Sequence, residues 1–427
     1  MRLLNTILVT MLIAVAGCAK KSHAGGSRDD APPPGNGEGQ ADSAQGDAGQ
    51  VESGTPTNNP AGKKDASDDA GETAGSSTDG GGTEGEPTNQ PIALAKIVPN
   101  TAGVYHGAFA DLPEVLRAGE AASATTSFEQ LVDKQLAFTI IGDNWVDGIA
   151  FPRRTLQEIT DQGKIPVVHV KPWSIKARNR GPDQIYNLSR VIDGSFDVEL
   201  REYAKAALSF RHPVVLDFAP EANGNWYPWA GNFLGASLRT GYGDPALADG
   251  PERYRDAFRK VVTLFREEGA ANVTFVYHVS SSSKPARTWN TMAAYYPGDE
   301  FVDWLAVSAY SAQVPGDMWQ EFTEVMDHAY AELAAVSETK PIAVLEYGII
   351  EDSFTALRKA DWITNALSAV KADRYPRVKA MAYWHESSWV PRGDNDMRVD
   401  SSVSALRAYK DEIANAFFLS AIQLQNQ

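Results

Sequence analysis

The sequence predicts an α/β protein, a (β/α)8 TIM barrel preceded by a disordered tether. Three observations predict it. Short apolar runs bounded by turn formers, such as Val214-Val215-Leu216 and Ile342-Ala343-Val344-Leu345, read as strands buried on both faces. These runs alternate with amphipathic stretches of helical spacing, as βα units do. Glutamate, histidine and tryptophan recur where the apolar runs end, and in a barrel those ends converge on one functional face.

Residues 1–17 read as a secretory signal: Arg2 supplies charge, residues 3–15 a mostly apolar core, and Val15-Ala16-Gly17-Cys18 a small-residue cleavage site. The core is shorter than the roughly 20 residues needed to span a bilayer. Cys18 is the chain's only cysteine, so neither a disulfide nor a cysteine-ligated zinc is expected once it is modified. The cleavage site resembles the bacterial lipoprotein lipobox. That resemblance implies lipidation of Cys18 and a membrane anchor, and Ala19 after it points to the outer membrane or cell surface.

Residues 18–91 are rich in Gly, Ser, Ala, Asp, Pro, Thr and Asn and nearly devoid of large apolar side chains. Past Cys18 they hold thirteen acids against five bases, half of the chain's net charge of −16. Such a segment buries too little surface to offset its ordering entropy, so a disordered tether is expected. As a flexible coil it would span some tens of ångströms, at about 5–6 Å × √n. The acidic balance argues against nucleic acid partners.

Residues 92–427 are then one catalytic-sized domain, expected to be monomeric. Its candidate strands are 102–105, 137–141, 166–170, 214–218, 273–278, 304–308, 342–346 and 380–384. Helical spacing marks 197–210, 252–267, 317–336, 353–370 and 401–417; the second follows Pro251 and stops before Gly269. An open doubly wound sheet usually carries a glycine-rich phosphate loop near its first strand, and none is visible. No HExxH or His/Cys spacing marks a metal site and no G-x-S-x-G elbow a serine nucleophile, so no cofactor is expected.

At the predicted functional face stand His106, Asp143, His169, Lys171, Glu221, His278, Tyr310, Glu346, Trp384 and His385. Glu221 and Glu346 end the fourth and seventh strands, nearly opposite each other in a closed ring. Two carboxyls so placed have the chemistry for glycosidic bond cleavage, one protonating the leaving oxygen and one supporting the positive sugar carbon. Trp304 and Trp362 read as packing and Asp217 as a buried, satisfied acid.

The segment Pro220-Glu221-Ala222-Asn223-Gly224-Asn225-Trp226-Tyr227-Pro228-Trp229 resembles the acid/base segment of glycoside hydrolase family 26. Tyr295-Tyr296-Pro297-Gly298-Asp299 and Tyr310 resemble that family's sixth-strand region, Leu345-Glu346-Tyr347-Gly348 its nucleophile segment, and Ala382-Tyr383-Trp384 its eighth strand. The resemblance implies a retaining endo-β-glycanase, with β-1,4-mannan as the leading polysaccharide and mixed-linkage glucan or xylan behind it. It implies Glu221 as acid/base, Glu346 as nucleophile, Tyr310 as the residue positioning the nucleophile, and Trp384 as the floor of the sugar site. Trp226 and Trp229 would be subsite walls, with Asn225 or Asn223 bonding hydroxyls. Pro220 stands where the family usually has histidine, so either the lost hydrogen bond alters the acidity of Glu221 or another group, such as His169 or His278, fills the space. The same departure keeps a rival open, a glycan-binding lipoprotein on the same barrel without turnover.

Overall fold

The structure, a computed structural model, describes residues 94–112, 116–175, 181–387 and 395–427. The secretory signal, Cys18 and the tether lie outside the described residues. Eight parallel strands form the barrel: β1 (Val104–Ala110), β2 (Phe138–Asn144), β3 (Ile165–Lys171), β4 (Val214–Phe218), β5 (Val273–Ser280), β6 (Trp304–Tyr310), β7 (Ile342–Gly348) and β8 (Val378–His385). Each pairs with the next, and β8 pairs back onto β1 with His106 opposite Met381 and Ala110 opposite His385, closing the ring.

Helices flank the strands: α1 (Glu120–Val132), α2 (Arg153–Asp161), α3 (Leu188–Ile192), α4 (Asp197–Phe210), α5 (Asp249–Glu267), α6 (Met292–Tyr295), α7 (Phe322–Val336), α8 (Arg358–Lys371) and α9 (Val403–Ile413). Their ends follow local chemistry. Glu321 and Glu324 form a capping box at α7, and Ser402 accepts the Ala405 N–H at α9. In α5, Asp249 and Glu252 sit at the positive end of the helix dipole and Arg266 at the negative end. Among the described residues no helix is long and apolar enough to cross a membrane.

Alternation along the strands divides the barrel interior into layers. Tyr105, Phe138, Val167, Val215, Val276 and Trp304 line a small apolar cavity at the bottom. Gly107 leaves room there: a Cβ on it would come within 2.3 Å of the Phe138 ring. Two residues further along β3, β4 and β5 the same inner face carries His169, Asp217 and His278, all fully buried.

Strand β7 breaks the alternation. Leu345 lines the lower cavity, so strict pleating would point Glu346 outward. The ladder with β6 shifts between Val307 and Ser308, pairing Val307 with Val344 but Ser308 with Glu346. The extra residue turns Glu346 inward, as bulges beside functional sites do.

The first and last strands of the described domain meet below the barrel. Ala95–Ile97 pairs antiparallel with Leu424–Asn426, and Ile97 and Ile422 close the lower cavity. Phe418–Leu419 adds a short parallel pairing to the start of β1.

Candidate active site

Above the buried polar layer opens a cleft of about 340 Å³ whose walls include Glu221, Glu346, Trp226, Tyr310, Trp384 and Lys284. Glu221 follows β4 on a constrained turn. Ala219 and Glu221 both adopt left-handed backbone, with φ of 53° and 58°. Each such residue costs about 1–2 kcal/mol, and strain of this kind persists only where its surroundings impose it. Here the Ala219 N–H donates to the Val170 carbonyl, the Glu221 N–H to the His278 carbonyl, and the Trp229 indole to the Pro220 carbonyl. The turn is therefore pinned from β3, from β5 and from its own loop.

The Trp226 indole N–H donates to Glu221 Oε2 at 2.8 Å. Gly224 permits this, because a Cβ there would lie 2.6 Å from the indole ring. Asn223 ties the loop to the end of β5: its side chain accepts from the Ser280 N–H and donates to the Ser280 carbonyl, both at 2.9 Å. On the opposite wall the Tyr310 hydroxyl donates to Glu346 Oε2 at 2.8 Å. Trp384 stacks on Phe109 at 4.1 Å between centroids, and its indole N–H donates to Glu386.

Beneath the cleft, His278 Nδ1 lies 2.6 Å from Asp217 Oδ2 and its Nε2 lies 2.9 Å from Ser308 Oγ. His169 stands between Asp217, at 3.3 Å, and Glu346, at 3.4 Å, with neither contact aligned as a hydrogen bond. Burial alone would discharge His278, but Asp217, Glu346 and Glu221 outweigh it and raise the imidazole to about 9. Burial, the His278 charge and Lys171 push His169 well below its ordinary range, so it is neutral. Burial and the facing Glu221 push Glu346 up to about 7, against the pull of His278, Lys171 and the Tyr310 hydroxyl. Two carboxyls in one site that oppose each other's ionisation hold one proton between them until that pH is passed.

His169, Asp217 and His278 also form the one group of potential metal ligands found among the described residues. Donors on a tetrahedral metal stand roughly 3.3 Å apart when bonds are about 2.0–2.1 Å. The 2.6 Å contact between Asp217 and His278 is shorter than that. The Asp217–His278 spacing suits a hydrogen bond and not two donors on one tetrahedral ion.

The structure thus brings Glu221, Glu346, Trp226, Tyr310 and Trp384 to one cleft. It places other expected residues elsewhere. Trp229 is buried, stacked on Tyr227 at 4.5 Å, and supports the Glu221 turn instead of walling a subsite. Asn225 is exposed and outside the cleft lining, and Asn223 is a buried loop tie. His169 and His278 are buried under the cleft, where they face the carboxylates and not the opening. His106 turns outward to the Tyr409 hydroxyl of α9, Asp143 to Tyr203 of α4, and His385 to the Val399 N–H. Trp304 and Trp362 are core, as read. Lys284 and Ser280-Ser281-Ser282 also line the cleft; nothing in the sequence marked Lys284.

Residues 185–386 match the family model described as "Glycosyl hydrolase family 26". The chain is 30% identical over 294 residues to "Endoglucanase H" of Acetivibrio thermocellus, covering 68% of this chain and 29% of that protein. It is 26% identical over 127 residues to "Beta-1,3-xylanase TXYA" of a Vibrio species, covering 30% of this chain and 23% of that protein. The chain therefore spans less than a third of the length of either relative. In three dimensions it is similar to the catalytic domain of the endo-β-1,4-mannanase from Bacillus sp. JAMB-750. That match has a TM-score of 0.55 at 16% identity, over 74% of this chain and 87% of the other. A double mutant of the Cellulomonas fimi endo-β-1,4-mannanase matches with a TM-score of 0.53 at 18% identity, over 74% and 72%. At these identities the structural likenesses establish the (β/α)8 fold alone.

Proposed function

We propose that this domain is a family 26 glycosyl hydrolase and a retaining endo-β-glycanase, a reading supported by the match of residues 185–386 to the family model. The observation that carries the reading is the meeting of Glu221 and Glu346, 125 positions apart in the chain, on one cleft walled by Trp226 and Trp384. Indole faces suit the apolar faces of pyranose rings. Glu346, oriented by Tyr310, would attack the anomeric carbon while Glu221 gives its proton to the departing oxygen. Water deprotonated by Glu221 would then displace Glu346 from the glycosyl-enzyme.

A β-linked glucan is the favoured backbone, because the more similar relative in sequence is named an endoglucanase. The mannan expectation rests on resemblance and remains the second reading. Incubating the protein with mixed-linkage glucan, mannan and xylan and following new reducing ends separates them. Release of β-anomers first, abolished by Glu346→Ala, is the expected result. Binding without release would favour the glycan-binding rival. A lipid anchor at Cys18 belongs to the same reading, and Cys18→Ala should move the protein from the membrane to the soluble fraction.

A further inference from the structure

The layer under the two glutamates is polar where packing alone would favour apolar side chains. A buried charge is costly unless it is paired and hydrogen-bonded. His278 meets both conditions, with Asp217 on Nδ1 and Ser308 on Nε2, and it is 0% exposed. The groups around it and around the glutamates it acts on come from every neighbouring element. Strand β3 offers His169 and Lys171, β4 offers Asp217 and, just past its end, Glu221. Strand β6 offers Ser308 and Tyr310, and β7 offers Glu346. Behind β4, Tyr254 of α5 turns its hydroxyl to the Phe218 carbonyl.

With one proton on the Glu221–Glu346 pair, that pair and Asp217 carry two negative charges, and His278 and Lys171 are the cations that act on Glu346 from β5 and β3.

We propose that the Asp217–His278 pair is a positioning unit that fixes a positive charge beneath the catalytic glutamates and so sets the pH range in which they share a single proton. This rests on the two-glutamate reading above. His278 does not line the cleft, so it acts through the carboxyls and not on the sugar. Removing the cation makes each proton on the pair harder to lose.

The test is the pH dependence of kcat/KM for the full chain and for His278→Asn and Asp217→Asn. In His278→Asn both limbs of the profile should move to higher pH by about one unit, the scale of one nearby charge. Asp217→Asn removes the anion together with the charge it sustains on His278, so its limbs should move less than those of His278→Asn. A fall in rate with both limbs unmoved would overturn the proposal, since a purely structural role predicts that pattern. Nitrogen-15 spectra of the unmutated chain supply a readout independent of turnover and of variant folding. One buried histidine ring should stay doubly protonated beyond pH 8; its being neutral at pH 7.5 would overturn the proposal. If the chain releases no sugar from any glycan, the two-glutamate reading fails, while the spectra still report on the pair.

Discussion

At the scale of single residues, the site depends on a few hydrogen bonds to charged oxygens. The Tyr310 hydroxyl bonds Glu346, and bonds of this type contribute about 1.5–3 kcal/mol. Tyr310→Phe should therefore lower kcat/KM roughly 10- to 100-fold with the fold intact, measured by steady-state kinetics beside a melting curve. Gly224→Ala drives a methyl into the Trp226 indole and should break its bond to Glu221, lowering activity while thermal stability changes little. The raised Glu346 carboxyl predicts an alkaline limb near pH 7, where the shared proton is lost. Flat activity from pH 6 to 8 would contradict it. Glu221, Glu346, Tyr310 and Trp384 were legible because each stands at the end of an apolar run. The Asp217–His278 contact was not, because it joins adjacent strands 61 residues apart and neither side chain carries a local signal.

At the scale of elements, all eight strands were legible, and 214–218 matches β4 residue for residue. The others run further than read, mostly at their C-terminal ends. Gly142, Asp143 and Asn144 extend β2, and Val279 and Ser280 extend β5. The parallel ladder continues through polar residues because it is made by the backbone, whereas the apolar-run signal stops at the first of them. Helices α1 and α2 went unread: Glu120–Val132 is rich in Ala, Ser and Thr, and Arg153–Asp161 carries few apolar residues. The bulge in β7 was invisible because it is a relation between strands. Helix caps hold a removable cost. Leu357 precedes α8 with φ at 71° and is 57% exposed. Leu357→Gly should relieve about 1 kcal/mol and raise the melting temperature by a few degrees, read by calorimetry.

At the scale of the whole molecule, the site is held at a cost to stability. Glu346 is ordinarily acidic near 4.5 and lies near 7 when folded, so the folded state binds its proton more tightly than the unfolded chain. Its ionisation thus weakens the fold progressively as pH rises from about 4.5 to 7. Glu346→Gln should stabilise the fold at pH 8 by on the order of 3 kcal/mol, read as a higher melting temperature, and leave it nearly unchanged at pH 4. Equal effects at both pH values would show that the gain is not electrostatic. The ring itself was legible from the alternation of strands and helices, but the two-stranded pairing that closes it from below was not. Residues 95–97 and 424–426 are too short to announce themselves as strands, and the Gln427 N–H reaches the Leu94 carbonyl at 2.7 Å. With its two ends side by side beneath the floor, the domain is suited to circular permutation. A few residues would bridge Gln427 to Leu94, and new termini could open at Glu338 and Thr339, leaving the mouth of the ring untouched.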